Sequence, residues 1–340
     1  MPSSVTLNRI TYIRGFAILA VVTIHVLSSL PGRVFAAFEH NALYIFIDQF
    51  CRVSVPLFLA VSGYGLMRKY ENNWNLVTFF QRRILRLIPL YLVWSIGFWY
   101  LFRLIPEWYA TAEPVPLWQA IVFGSDYHLY FVPLIFQFYF LFPILLSLVK
   151  RMPILTLVGS VILQAGSIMF FQWQAKQPGT QLFATDQEQY LLFISWLSYF
   201  VMGMFLAKDT LKIPFYGIIA CCVIWVLSYY SMVTEALTSI SGGLDPLYAL
   251  KFTRLTVIPF ALSSIIVTLL FPISGFTIPA FLRSFFMKVG QLSFIIFLCH
   301  TLVLRLIFGR QIPGITTTDL LLTATFVVVL VAISLKIEKN

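Results

Sequence analysis

The sequence predicts an all-α polytopic membrane protein, and three observations predict it. Hydrophobic residues fill 60% of the 340 positions and charged residues only 11%, against about 25% charged in an ordinary soluble domain. Mean hydropathy is +0.89. Apolar runs close to the length that a bilayer core demands recur from one end of the chain to the other.

Ten such runs are legible, near 10–30, 44–67, 87–102, 129–149, 154–173, 190–207, 215–233, 255–271, 289–308 and 320–335. The third and tenth are short for a span. Placing both termini in the cytoplasm puts 15 of the 23 Lys and Arg on the inner side or at inner span ends, leaving 8 outside. Only 3 of the 13 acidic residues then lie inside. Basic flanks on the cytoplasmic side set orientation, so the bias supports ten spans with both ends inside. The net charge of +10 is thereby a topology signal, and no nucleic-acid partner is expected. The expected organisation is one membrane-embedded domain over 1–340 with no appended soluble domain.

The first run resembles a signal peptide, with Val34-Phe35-Ala36 as a cleavage site. Its apolar core is long, which favours a retained anchor. It also carries Arg14 and, eleven residues on, His25. Eleven steps of about 100° place both side chains on one helix face, about 16 Å apart along the axis. Ionisable groups are costly in hydrocarbon, so they face a protein interior or watery cavity and mark function. The second run contains Val53-Ser-Val-Pro-Leu-Phe-Leu-Ala-Val-Ser-Gly63.

The third run is preceded by Phe80-Gln-Arg-Arg-Ile-Leu-Arg86, with Pro89 and Tyr91 following. Arg83 and Arg86 are i,i+3 and Arg82 and Arg86 are i,i+4, spacings that converge on one patch. An ordinary positive-inside flank has the same look. An anion clamp is the sharper reading, because guanidinium forks match phosphate geometry. The fourth run opens with His128-Leu-Tyr-Phe, where His128 reads either as an interfacial residue beside Tyr127 and Tyr130 or as a functional one. Gln137, within that run, needs a hydrogen-bond partner.

Longer outer loops at 103–126 and 234–254 carry Trp108, Tyr109, Trp118 and Tyr248, which suit an aromatic belt or a surface that stacks on sugars. Arg52, Arg254 and Arg305 lie near or within the outer halves of their runs, with Asp48, Asp245 or an anionic acceptor as candidate partners. The ninth run holds Ser293 and, seven residues later, His300. His40 is expected to be solvated in the first outer loop. Cys51, Cys221, Cys222 and Cys299 all fall within runs as packing residues. No metal-ligand spacing appears.

The order of these features resembles the membrane-bound acyltransferase type 3 family, which O-acylates surface glycans and lipids. The likeness covers the Arg14/His25 pair, the 53–63 stretch, Arg83-x-x-Arg86, His128-Leu-Tyr-Phe and the late Ser293…His300. One departure is Thr11, where many members carry an acid three residues before the motif arginine. The resemblance implies a multi-pass enzyme of the bacterial cytoplasmic membrane, embedded in the lipid bilayer, with no tightly bound cofactor. Its co-substrate would be cytoplasmic acyl-CoA, acetyl-CoA first, with the phosphates on Arg82, Arg83 and Arg86 and the pantetheine arm passing Arg14. His25, with Arg14, would form the catalytic pair, His25 acting as general base or as an acyl-histidine. His128 and His300 would bind the acceptor or stabilise the oxyanion. The acceptor would be an envelope or extracellular glycan or glycolipid, with partner proteins of envelope biosynthesis. A transporter or flippase of a glycan or lipid-linked sugar is the alternative. It would more often show inverted repeats, and none is found. A receptor or scaffold gives no reason for Arg14 and His25 on one face.

Overall fold

The computed structural model describes residues 4–28, 42–72, 74–108, 115–174, 186–208, 214–244, 246–270 and 279–308, and among them the chain is built of helices and turns. Helix α1 (Ser4–Ser28) carries both Arg14 and His25. The expected second span is two helices, α2 (Ala42–Cys51) and α3 (Ser54–Tyr70), broken at Arg52 and Val53. Pro56 explains the break, because it has no N–H to give the carbonyl of Arg52. The chain tightens there through the Arg52 N–H to Gln49 and the Val53 N–H to Phe50.

Helix α4 (Leu76–Leu104) begins eleven residues before the expected third run, capped by the Asn75 side chain, which accepts the Thr78 N–H at 3.0 Å. The arginines interrupt the apolar pattern without interrupting the helix. They therefore stand on its first turns. A short helix, α5 (Leu117–Phe123), leads through a turn to α6 (Phe131–Arg151) and α7 (Pro153–Gln174). Then come α8 (Leu197–Leu206), α9 (Phe215–Ser241) and α10 (Val257–Leu270). The expected ninth run belongs to a bent pair, α11 (Ala280–Gln291) and α12 (Ser293–Phe308), which meet at 82°.

Among the described residues, six stretches are long and apolar enough to cross a membrane, seven if the bent pair is one span, with 193–206 and 257–270 as shorter apolar helices. The protein is a multi-pass membrane protein. Nine of the ten expected runs fall on these elements; 320–335, His40, Tyr109 and Asp245 lie outside the described residues.

The core centres on α3 packed against α8. At Gly203 a Cβ would fall on the Ala60 carbonyl oxygen, so only glycine allows this approach. The same device joins α1 to α11, where Gly290 lies under the Thr11 carbonyl. Thr11, the position where an acid is often found, is here a backbone packing point. Around this centre, α7 and α9 turn large apolar side chains such as Ile154, Ile162, Val223 and Leu227 outward, as lipid-facing helices do.

Several polar residues within the helices find partners. Gln137 donates to the Leu191 carbonyl at 2.6 Å and accepts from the Phe193 N–H at 3.2 Å, as its position demanded. Arg52 donates to both carboxylate oxygens of Asp48, at 2.8 and 2.9 Å. Arg254 donates to Glu235 at 3.4 Å and to the Gln49 side chain. All four cysteines are free thiols.

Candidate active site

A cavity of about 830 Å³ opens among α1, α3, α4, α6 and α12. Its wall runs from Arg52, just before α3, and Ser54 along that helix to Lys69. That is nearly the full length of the helix, about 25 Å at 1.5 Å per residue. Arg14 and His25 both line it, as their spacing requires.

Arg82, Arg83 and Arg86 line the same cavity, joined by Lys69. Arg83 is the anchored member. It donates to the Tyr70 hydroxyl at 2.8 Å, and its guanidinium lies 4.6 Å from the Phe79 ring centre and 5.0 Å from that of Tyr70. Such cation–π contacts hold a charged head without neutralising it. Arg82 and Arg86 are exposed. Arg14 and His25, about three turns apart on α1, line the same cavity as the arginine cluster.

The other end is built by convergence. The His25 ring lies 5.0 Å from that of His300 and 4.9 Å from that of Tyr127. The His128 ring lies 5.0 Å from that of His300. Residues from α1, from the turn before α6 and from α12 thus form one three-histidine cluster. His128 is only 2% exposed, which removes it from the interfacial belt. It lines the cavity with His25, whereas His300 stands behind. Of the other aromatic candidates, Trp108 is buried while Trp118 and Tyr248 are exposed.

Behind the histidines lies a carboxylate that the sequence reading passed over. Asp126 is 4% exposed, receives two hydrogen bonds from Arg305 at 2.5 and 2.9 Å, and one from the Thr301 hydroxyl at 2.9 Å. The Nδ1 of His128 stands 3.3 Å from its Oδ2. Arg305 thus pairs with an acid well outside its own helix. Thr301 and Arg305 are i,i+4, a same-face spacing beside His300 that could have signalled a shared partner. Among the buried polar atoms with no hydrogen-bond partner among the described residues, three lie on residues of the cavity wall, the hydroxyls of Ser54 and Ser293 and the Nε2 of His128, while others such as the hydroxyls of Ser95 and Ser125 lie off it. Burying such groups unpaired costs about 1–3 kcal/mol each, which a polar guest at this wall would offset.

A channel that carries cations at one end and imidazoles at the other suits transfer between an anionic donor and a hydroxyl acceptor. The family model for the acyltransferase domain (acyltransferase 3) matches residues 7–337. The chain belongs to the acyltransferase 3 family. A search of curated proteins and a search of solved structures return no match. Membership makes this protein a membrane acyltransferase that draws on an acyl donor. In the acyltransferase, the motif residues lie far apart in sequence yet share one wall. His300 alone sits a layer behind it.

Proposed function

We propose that this acyltransferase moves an acyl group, acetyl first, from cytoplasmic acyl-CoA to a hydroxyl of an envelope glycan or glycolipid. One observation carries the reading: a single cavity joins Arg82, Arg83 and Arg86 to Arg14 and then to His25. The basic bias supports an arginine end at the cytoplasmic face with both termini inside, and the proposed home of the enzyme is the bacterial plasma membrane. There the arginines take the phosphates of the nucleotide end. The pantetheine arm follows the wall past Arg14, and the thioester reaches His25. His25 then removes the proton of the acceptor hydroxyl as its oxygen attacks the thioester carbon. The carbon–sulfur bond breaks, and the departing thiolate takes the proton from His25. His128 and His300 shape the acceptor side. The acceptor enters from the outer face, with partner proteins of envelope biosynthesis delivering it.

The deciding experiment is His25→Ala in cells, with acylation of envelope glycans read by mass spectrometry. The expected result is complete loss of the modification from a protein that remains inserted and binds acetyl-CoA in detergent. Retained acylation would remove His25 from the mechanism.

A further inference from the structure

We propose that Asp126 is a positioning residue for acyl transfer, holding His128 in the tautomer whose Nε2 presents a lone pair at the cavity wall. The inference rests on the acyl-transfer reading above and extends it to the groups behind the wall.

The proton assignment follows from what each neighbour can do. Asp126 takes both guanidinium bonds of Arg305, so it is an ionised carboxylate and only accepts. The Thr301 hydroxyl has one proton and gives it to Asp126 at 2.9 Å. Toward His128 Nδ1, 3.3 Å away, the Thr301 oxygen can therefore only accept. The second atom facing Nδ1 is Oδ2 of Asp126, also at 3.3 Å. Two acceptors face one ring nitrogen, so that nitrogen carries the hydrogen. In a neutral imidazole the other nitrogen, Nε2, is then bare. It is buried and meets no protein partner among the described residues.

His300 repeats the pattern by another route. Its Nδ1 lies 2.8 Å from the Phe297 carbonyl oxygen and 3.1 Å from that of Ile296, and its Nε2 is also unpartnered among the described residues. In that tautomer His128, the one of the two on the cavity wall, offers a lone pair and no N–H to an oxyanion. The guest it fits is one that brings hydroxyl hydrogens. While His25 takes the proton of the reacting hydroxyl, Nε2 of His128 accepts the hydrogen bond of a neighbouring hydroxyl, which fixes which oxygen attacks. An acceptor with adjacent hydroxyls meets that demand.

The test measures the tautomer and the transfer together. The protein has four histidines, so ring-nitrogen signals of 15N-histidine-labelled enzyme are assigned by loss in His128→Gln. In the wild type, His128 is expected as Nδ1–H; an Nε2–H signal there overturns the proposal without any further variant. Asp126→Leu with Arg305→Met then replaces the ion pair by apolar groups and strands no charge. It also frees the Thr301 hydroxyl to donate to Nδ1, so the Nε2–H form is expected to gain. Glycan acetylation should fall about 100-fold, with acetyl-CoA affinity unchanged. Asp126→Glu, which keeps the charge, should recover part of the rate. Full acetylation in Asp126→Leu/Arg305→Met beside total loss in His25→Ala sinks the positioning role alone. Full acetylation in both overturns the reading beneath it as well.

Discussion

The two ends of the cavity are built by opposite rules. The arginine end comes mostly from one stretch of chain, the first turns of α4, and its charges reach the surface. The histidine end is assembled from separate helices and a turn; His25 is half-buried, while His128, His300 and Asp126 are buried and Asp126 and Thr301 back His128. Exposed cations that keep their freedom suit the capture of a large, charged, diffusing donor. A buried cluster with fixed ring orientations suits a reaction in which a displacement of about 1 Å is costly. Binding and chemistry should therefore separate cleanly by mutation.

The largest effect should come from His25→Ala. Loss of a general base costs about 10²–10⁴ in rate, and acetyl-CoA affinity should stay at the wild-type value. If affinity falls as well, the two ends are not independent. Next comes Arg83→Ala combined with Arg86→Ala, which should weaken acetyl-CoA binding about 10- to 100-fold. Turnover at saturating donor should persist. Calorimetry in detergent reads the first quantity, and thiol release reads the second. Unchanged affinity would return these residues to the role of a topology flank.

Within the arginine end a finer contrast is available. Arg83 is set on the Phe79 and Tyr70 rings and bonded to the Tyr70 hydroxyl, while Arg86 is exposed. A lysine cannot reproduce a stacked planar fork. Arg83→Lys should thus raise the KM for acetyl-CoA severalfold and Arg86→Lys should raise it less. Equal effects would mean that only the number of charges counts.

The same contrast explains what the sequence made legible. Apolar runs reveal helices, because lipid and core both select hydrophobic side chains; nine of the ten runs fall on apolar helices. The arginine cluster is contiguous, and the eleven-residue step from Arg14 to His25 lies on one helix, so local periodicity suffices for both. Asp126 and Thr301 are separated by 175 positions, and Asp126 and Arg305 by 179. No local period carries that information. A short acid-x-His run, Asp126-Tyr-His128, was visible, but its meaning depends on which helix lands behind it. The bend between α11 and α12 was equally hidden, since Leu292 interrupts the helix without a proline or glycine at that position.

The smallest expected effect is also the one that sharpens the contrast most, because it perturbs no residue. At about 0.15 M salt the screening length is about 8 Å, and at 1 M about 3 Å. Charges that reach solvent feel this change, and buried groups feel it far less. Raising salt across that range should therefore increase the KM for acetyl-CoA a few-fold through Lys69, Arg82 and Arg86, which line the mouth and are exposed. Turnover, set at the histidine end, should not move. S-acetylpantetheine, which lacks the nucleotide phosphates, supplies the control: its KM should be high and insensitive to salt. A parallel salt response for both donors would show that the arginines act on something other than phosphate. A fall in turnover with KM constant would place the salt-sensitive charges at the chemical end. Only a response confined to the KM of the phosphorylated donor fits a channel whose one end captures and whose other end reacts.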